Sequence, residues 1–183
     1  MVPIVFYDEG KANHRGESGS MDKITMLSQQ LGEQLLATQQ IITSAESCTG
    51  GGVAFALTEI PGSSAWFDRS FVTYSNQAKH DMLGVSLSML NEHGAVSEPV
   101  VQAMVHGALA RSQATIGVAI SGIAGPTGAT QGKPVGTVCF AWASKQGWQK
   151  IDTVYFQGDR ASVRQQAIIY ALQILSDHLS SLI

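Results

Sequence analysis

A chain of 183 residues has room for one domain and little for a second. Its 14 acidic and 11 basic residues leave a formal charge of −3, and with no Lys/Arg cluster the footprint of a nucleic-acid binder is excluded. Charged residues make up only 14% against 44% hydrophobic, so much of the chain is expected to be buried, in an oligomer as well as a core. No apolar run reaches the ~18 residues of a membrane span, and no leader peptide is recognisable, which makes the cytoplasm the expected location. Cys48 and Cys139 stand in unrelated contexts, and His14, His80, His93, His106 and His178 form no ligand-like spacing, so no metal site is expected.

Residues 1–20 differ from the rest. Gly10–Ser20 is polar and Gly/Ser-rich and ends before a second methionine, so 1–20 reads as an extension outside the fold and 21–183 as the single domain. From Met21, the residues Ile24, Leu27, Leu31 and Leu35 recur at helical spacing. Ile41–Ser44 reads as a short strand, Gly50–Leu57 as a helix, and Ser70–Tyr74 as a second strand. Ser97-Glu98-Pro99 opens a helix that runs to about Gln113. Ile116–Ile120 is an apolar strand followed by a glycine-rich stretch to Gly136. Val135–Trp142 and Ile151–Phe156 pair around Gly147, and a last helix runs from about Ala161 to Leu182. This alternation predicts a three-layer α/β/α sandwich, and the hairpin makes its sheet mixed.

Three segments carry chemistry. In Ala45–Gly52 a serine, Ser47, sits at a strand-to-helix junction. Amides of Cys48, Thr49, Gly50 and Gly51 there could stabilise an anion, either a phosphate or an oxyanion. The same octet also reads as an ordinary capped helix start with glycines for close packing. A serine needs a base, and no G-x-S-x-G elbow supplies the usual context. In Val72–Lys79 a strand ends in hydroxyl and amide groups, including Tyr74 and Asn76, before Lys79 enters a short helix. A free lysine titrates near 10.4, so a lysine base near pH 7 must fall by about 3, a cost of about 4 kcal/mol, unless it is simply a solvated helix residue. Burial supplies such a fall. Tyr74 could relay a proton or hold the serine hydroxyl. The stretch Ser121–Gly128, with Gly122 and Gly125, suggests close backbone approach to a ligand or a plain flexible connection; Gly132-Lys133 is followed by proline and makes no P-loop. Arg160 and Arg164, one turn apart, can fork onto a phosphate or serve a subunit contact.

Together, Ala45–Gly51, Pro61–Ser64, Val72–Lys79, Gly94–Ser97, Ser121–Pro126, Lys133–Thr137 and Gly158–Arg160 resemble, in order and spacing, the C-terminal domain of the CinA family. In stand-alone form that domain is a nicotinamide-nucleotide amidohydrolase. The resemblance covers Met21 to the C-terminus and implies an α/β/α sandwich, commonly dimeric. It also implies hydrolysis of nicotinamide mononucleotide to nicotinic acid mononucleotide and ammonia, without cofactor or metal. By position, the family's serine nucleophile falls on Ser47, its lysine base on Lys79 and its motif tyrosine on Tyr74. Cys48, Thr49, Gly50, Gly51, Asn76, Gly122, Gly125 and Arg160 are the expected substrate contacts. Ala129 stands where relatives often carry glycine, and the N-terminal arm has no counterpart. Two rivals stay open: a pyridine-nucleotide-binding module that cuts nothing, and Cys48 as nucleophile, since a thiol at a helix N-terminus can have a lowered pKa.

Overall fold

The computed structural model describes Val5–Phe6 and residues 18–183. In chain order the elements are β1 (Val5–Phe6), α1 (Ser18–Ala37), β2 (Ile42–Glu46), α2 (Gly52–Thr58), a 3-10 turn at Ser63–Ala65, β3 (Phe67–Val72), α3 (Asn76–Leu83), α4 (Leu87–His93), α5 (Glu98–Ala110), β4 (Ile116–Gly122), β5 (Thr137–Ser144), β6 (Gln149–Tyr155) and α6 (Arg160–Ser180). Among the described residues one six-stranded sheet runs in the order β1-β6-β5-β4-β2-β3. β2 pairs in parallel with both β3 and β4, while β4–β5 and β5–β6 are antiparallel, so the sheet is mixed as the hairpin required.

Alternation along the buried strands sorts side chains by size. From β4 and β5, Ile116, Val118, Ile120, Val138, Phe140 and Trp142 face one core together with α1, α2 and α6. Ala119, Cys139, Ala141 and Ala143 face the other, with Val101, Met104, Val105 and Ala108 of α5. Small residues on that second face let α5 lie close to the sheet, and the large ones opposite fill the gap beneath two long helices. Stacked Phe140 and Trp142, 5.4 Å between centroids, head the larger core. Three layers result.

The connections fix where a ligand can sit. From β2 the chain crosses through α2 on one face to β3, then returns through α3, α4 and α5 on the other face to β4, on the far side of β2. Right-handed crossovers demand this change of face when the direction of travel reverses. The reversal leaves a crevice beyond the carboxyl ends of β2 and β4. Ser47 and Ser121 lie there.

Several boundaries differ from the sequence reading. The first helix begins at Ser18 rather than Met21, and the Ser20 hydroxyl donates to Gln165 of α6. Val5 and Phe6 pair in parallel with Val154 and Tyr155, so part of the stretch assigned to an extension sits beside the sheet. Residues 10–17 of the Gly/Ser-rich arm lie outside the described residues. α2 starts at Gly52, because Gly50 and Gly51 have φ of 61° and 94° and cannot be helical. The β3 strand is Phe67–Val72, earlier than Ser70–Tyr74. Leu87–His93 is a helix that went unread; it is a seven-residue segment started by Ser86, whose hydroxyl accepts from Met89 N–H.

Candidate active site

Ser47 follows β2 directly, and its N–H donates to Ile120 O of β4 at 2.9 Å. The turn after it is built around Glu46, which has no exposed surface. One oxygen of its carboxylate accepts from the N–H groups of Gly51 and Val53, each at 3.0 Å, and from the Thr49 hydroxyl at 2.7 Å. The other accepts from Ala54 N–H and from the Ser44–Ser70 hydroxyl pair, in which the two oxygens are 2.7 Å apart and one hydroxyl donates to the other. Five donors on one carboxylate substitute for its lost hydration. They also consume the first free amides of α2, the groups a phosphate or oxyanion would need. The Gly51 N–H and the Thr49 hydroxyl are thus engaged by Glu46 within the fold. Gly50 N–H is spent on Ser47 O at 3.1 Å. Cys48 and Thr49 supply the turn amides that remain.

Lys79 reaches the same point from α3. Ser75 caps that helix by accepting from Ala78 N–H, which puts Lys79 on the inward face, 1% exposed. Its Nζ lies 3.1 Å from Ser47 Oγ, 2.8 Å from Thr73 O and 3.4 Å from Tyr74 O. All three partners are neutral oxygens. Burial, without a nearby carboxylate to oppose it, lowers the amine from 10.5 to about 8. Cys48 is 6% exposed, and burial pushes its thiol up to about 12. Desolvation outweighs the lowering effects of the Cys48 backbone N–H, Arg164 and Lys79, which counts against the rival reading of Cys48 as a low-pKa nucleophile. A Cβ on Gly122 would lie 3.0 Å from Cys48 Sγ and 2.7 Å from a Val138 methyl, so only glycine lets β4 pass so close to the turn.

Ser47, Cys48, Tyr74, Lys79, Ala95, Val96, Ser121, Gly122, Ala124 and Arg160 line a cleft of about 240 Å³. The Ser121 hydroxyl in its wall is 1% exposed and has no hydrogen-bond partner among the described residues. Ser121 was missed by the sequence reading; its signal was a hydroxyl at the end of an apolar strand just before the glycines. Tyr74 is 62% exposed, and its hydroxyl accepts from Arg160 Nη2 at 3.0 Å rather than holding Ser47. Arg160 Nη1 donates to Gly125 O at 2.8 Å, which makes Gly125 a brace for the arginine. Arg160 and Ala124 also belong to an adjoining groove of about 640 Å³ with Pro126, Val135, Gly158, Asp159, Ala161 and Arg164. Asn76 and the glycines Gly50 and Gly51 line neither space. Arg164 Nε and Nη2 donate to the carbonyls of Cys48 and Thr49. Lys133 is likewise engaged, donating to Val96 O at 2.7 Å and His93 O at 3.2 Å, where it holds the wall formed by Ala95 and Val96. Among the described residues no His, Cys, Asp and Glu group could hold a metal ion, and no helix is long and apolar enough to cross a membrane.

A profile described as CinA C-terminal domain matches residues 24–179. The chain belongs to that family. It is 54% identical over 153 residues to nicotinamide-nucleotide amidohydrolase PncC of Escherichia coli K12, covering 84% of this chain and 93% of that one. Its fold matches the competence/damage inducible protein CihA of Agrobacterium tumefaciens with a TM-score of 0.82 and 43% identity, covering 86% and 96% of the two chains. A competence damage-inducible protein A of Klebsiella pneumoniae matches with a TM-score of 0.83 and 41% identity, covering 86% and 97%.

Proposed function

We propose that this protein is an amidohydrolase that cuts the carboxamide of nicotinamide mononucleotide, with Ser47 as nucleophile and Lys79 as base. The observation that carries the reading is the environment of Lys79 Nζ. A neutral amine has two N–H bonds and one lone pair, and three neutral oxygens surround this one. With the two N–H bonds given to the Thr73 and Tyr74 carbonyls, the lone pair is left for the Ser47 hydroxyl proton. The name of the Escherichia coli relative, matched over 84% of this chain and 93% of its own length, supports the substrate.

The steps balance. Lys79 takes the Ser47 proton as Oγ attacks the carboxamide carbon, and the carbonyl oxygen becomes an oxyanion facing the Cys48 and Thr49 amides and the Ser121 hydroxyl. The protonated lysine returns that proton to the nitrogen as the C–N bond breaks, releasing ammonia. A water then attacks the ester on Ser47 and gives a proton to Lys79; the protonated lysine passes it to Ser47 Oγ as the C–Oγ bond breaks, and the released acid ionises to its carboxylate in solution. Arg160, on the shared edge of the cleft and the larger groove, offers the exposed cation for the ribose phosphate end. Product of this kind feeds the recycling of pyridine nucleotides.

The test is ammonia release from nicotinamide mononucleotide by the purified protein. Wild type is expected to release one ammonia per carboxylate formed, and Ser47→Ala to lose at least about a thousandfold in kcat while still binding the nucleotide. Binding by wild type without ammonia release would make the chain a nucleotide-binding module instead.

A further inference from the structure

Arg164 lies one turn into α6, beneath the Ser47 turn. Its Nε–H donates to Cys48 O at 3.1 Å and its Nη2–H to Thr49 O at 3.0 Å. Two consecutive carbonyls thus meet two donors of one planar guanidinium, a match a lysine cannot reproduce. A Cβ on Gly52 would meet Ile168 Cδ1 at 2.5 Å, so the turn and α6 approach closely there, while a Cβ on Gly50, whose φ is 61°, would make ordinary contact with Arg164 Nη2 at 3.5 Å. Arg164 and Ile168, four residues apart on one face of α6, therefore seat the helix against the turn.

The carbonyl and N–H of a trans peptide point in opposite directions. Holding the Cys48 carbonyl toward α6 turns the Thr49 N–H away from it. The Ser47 carbonyl is held in turn by Gly50 N–H at 3.1 Å, which orients the Cys48 N–H. We infer that Arg164 is a positioning residue for the hydrolysis: it sets the peptide planes that aim the oxyanion donors beside Ser47, and it does not bind the substrate phosphate. This rests on the assignment of Ser47 as nucleophile. Arg160 binds and Arg164 aims, although one helical turn separates them.

The experiment is steady-state kinetics on nicotinamide mononucleotide for Arg164→Met and Arg164→Lys, beside wild type and Ser47→Ala, with thermal unfolding of each. Arg164→Met is expected to lose about tenfold to a hundredfold in kcat with KM within about twofold, the signature of donors lost from the transition state alone. Arg164→Lys keeps the charge and one bond and is expected to fall between, at about three- to tenfold. A KM raised about tenfold at wild-type kcat would make Arg164 a phosphate ligand and overturn the inference. Wild-type kcat and KM in Arg164→Lys would overturn it too, and that variant decides the matter if Arg164→Met fails to fold. Full turnover by Ser47→Ala would overturn the nucleophile instead. Inactive Ser47→Ala beside fully active Arg164 variants would sink this inference and leave the nucleophile standing.

Discussion

Lys79 and Arg160 are cations at one cleft, and their surroundings differ in every respect that matters for a proton. Lys79 is 1% exposed and touches three neutral oxygens from β2–α2 and β3–α3. Arg160 lies open on the rim, held by one carbonyl and one phenol. Dry surroundings without a counter-charge drive an amine toward neutrality, whereas a guanidinium in water keeps its charge at any working pH. On the proposed function, the chemical end of the site needs its amine neutral and the recognition end needs its guanidinium charged.

The strongest way to break this contrast is to make the buried cation permanent. Lys79→Arg and Lys79→Met are each expected to lose at least about a thousandfold in ammonia release, because neither can exchange a proton with Ser47. In wild type, kcat/KM should rise with pH through an apparent value near 8, as the folded amine does. An apparent value near 10.5 would mean that Lys79 is solvated during turnover. Stability offers a separate reading of the same burial. The folded protein binds fewer protons than the unfolded chain between about 8 and 10.5, so stability rises with pH across that window. The full penalty, on the order of 3 kcal/mol, applies below it. Lys79→Met should therefore unfold at a higher temperature than wild type at pH 7, and the gap should close by pH 10.5.

The recognition end should respond more gently and in a different constant. Arg160→Ala is expected to raise KM for nicotinamide mononucleotide about tenfold with kcat within about threefold, since an exposed cation contributes binding rather than bond cleavage. Added salt should weaken wild-type binding more than that of the variant. Equal salt dependence in the two would remove Arg160 from phosphate binding.

The smallest effect is expected at Cys48, the nucleophilic atom nearest to Ser47 in sequence. Its thiol is pushed up to about 12 by burial and carries no thiolate to speak of near neutrality. Cys48→Ala should keep turnover within about threefold and lose about 1 kcal/mol of stability from packing against Gly122. Loss of turnover in a folded Cys48→Ala would return the thiol to the mechanism.

The sequence alone carried the architecture a long way. Helical spacing of Ile24, Leu27, Leu31 and Leu35, the apolar run Ile116–Ile120 and the Gly147 turn between two strands are local patterns that report directly on local structure. Motif order carried the family and drew attention to Ser47 and Lys79. Boundaries were read less well wherever glycine conformation decided them, as at Gly50 and Gly51, because composition does not reveal the sign of φ.

What only the tertiary structure decided is which polar groups are already spent. Thr49, Gly51, Gly125 and Arg164 all looked available or ligand-like in the sequence, yet each meets a partner within the fold. Ser121 looked unremarkable and holds a buried hydroxyl in the cleft wall that meets no partner among the described residues. The Lys79–Ser47 distance joins residues 32 positions apart, and the Arg164–Cys48 contact spans 116. Residue type sets what a group can donate or accept. Whether it still has that capacity to offer a substrate depends on long-range neighbours, which here meet only where the chain reverses direction across β2.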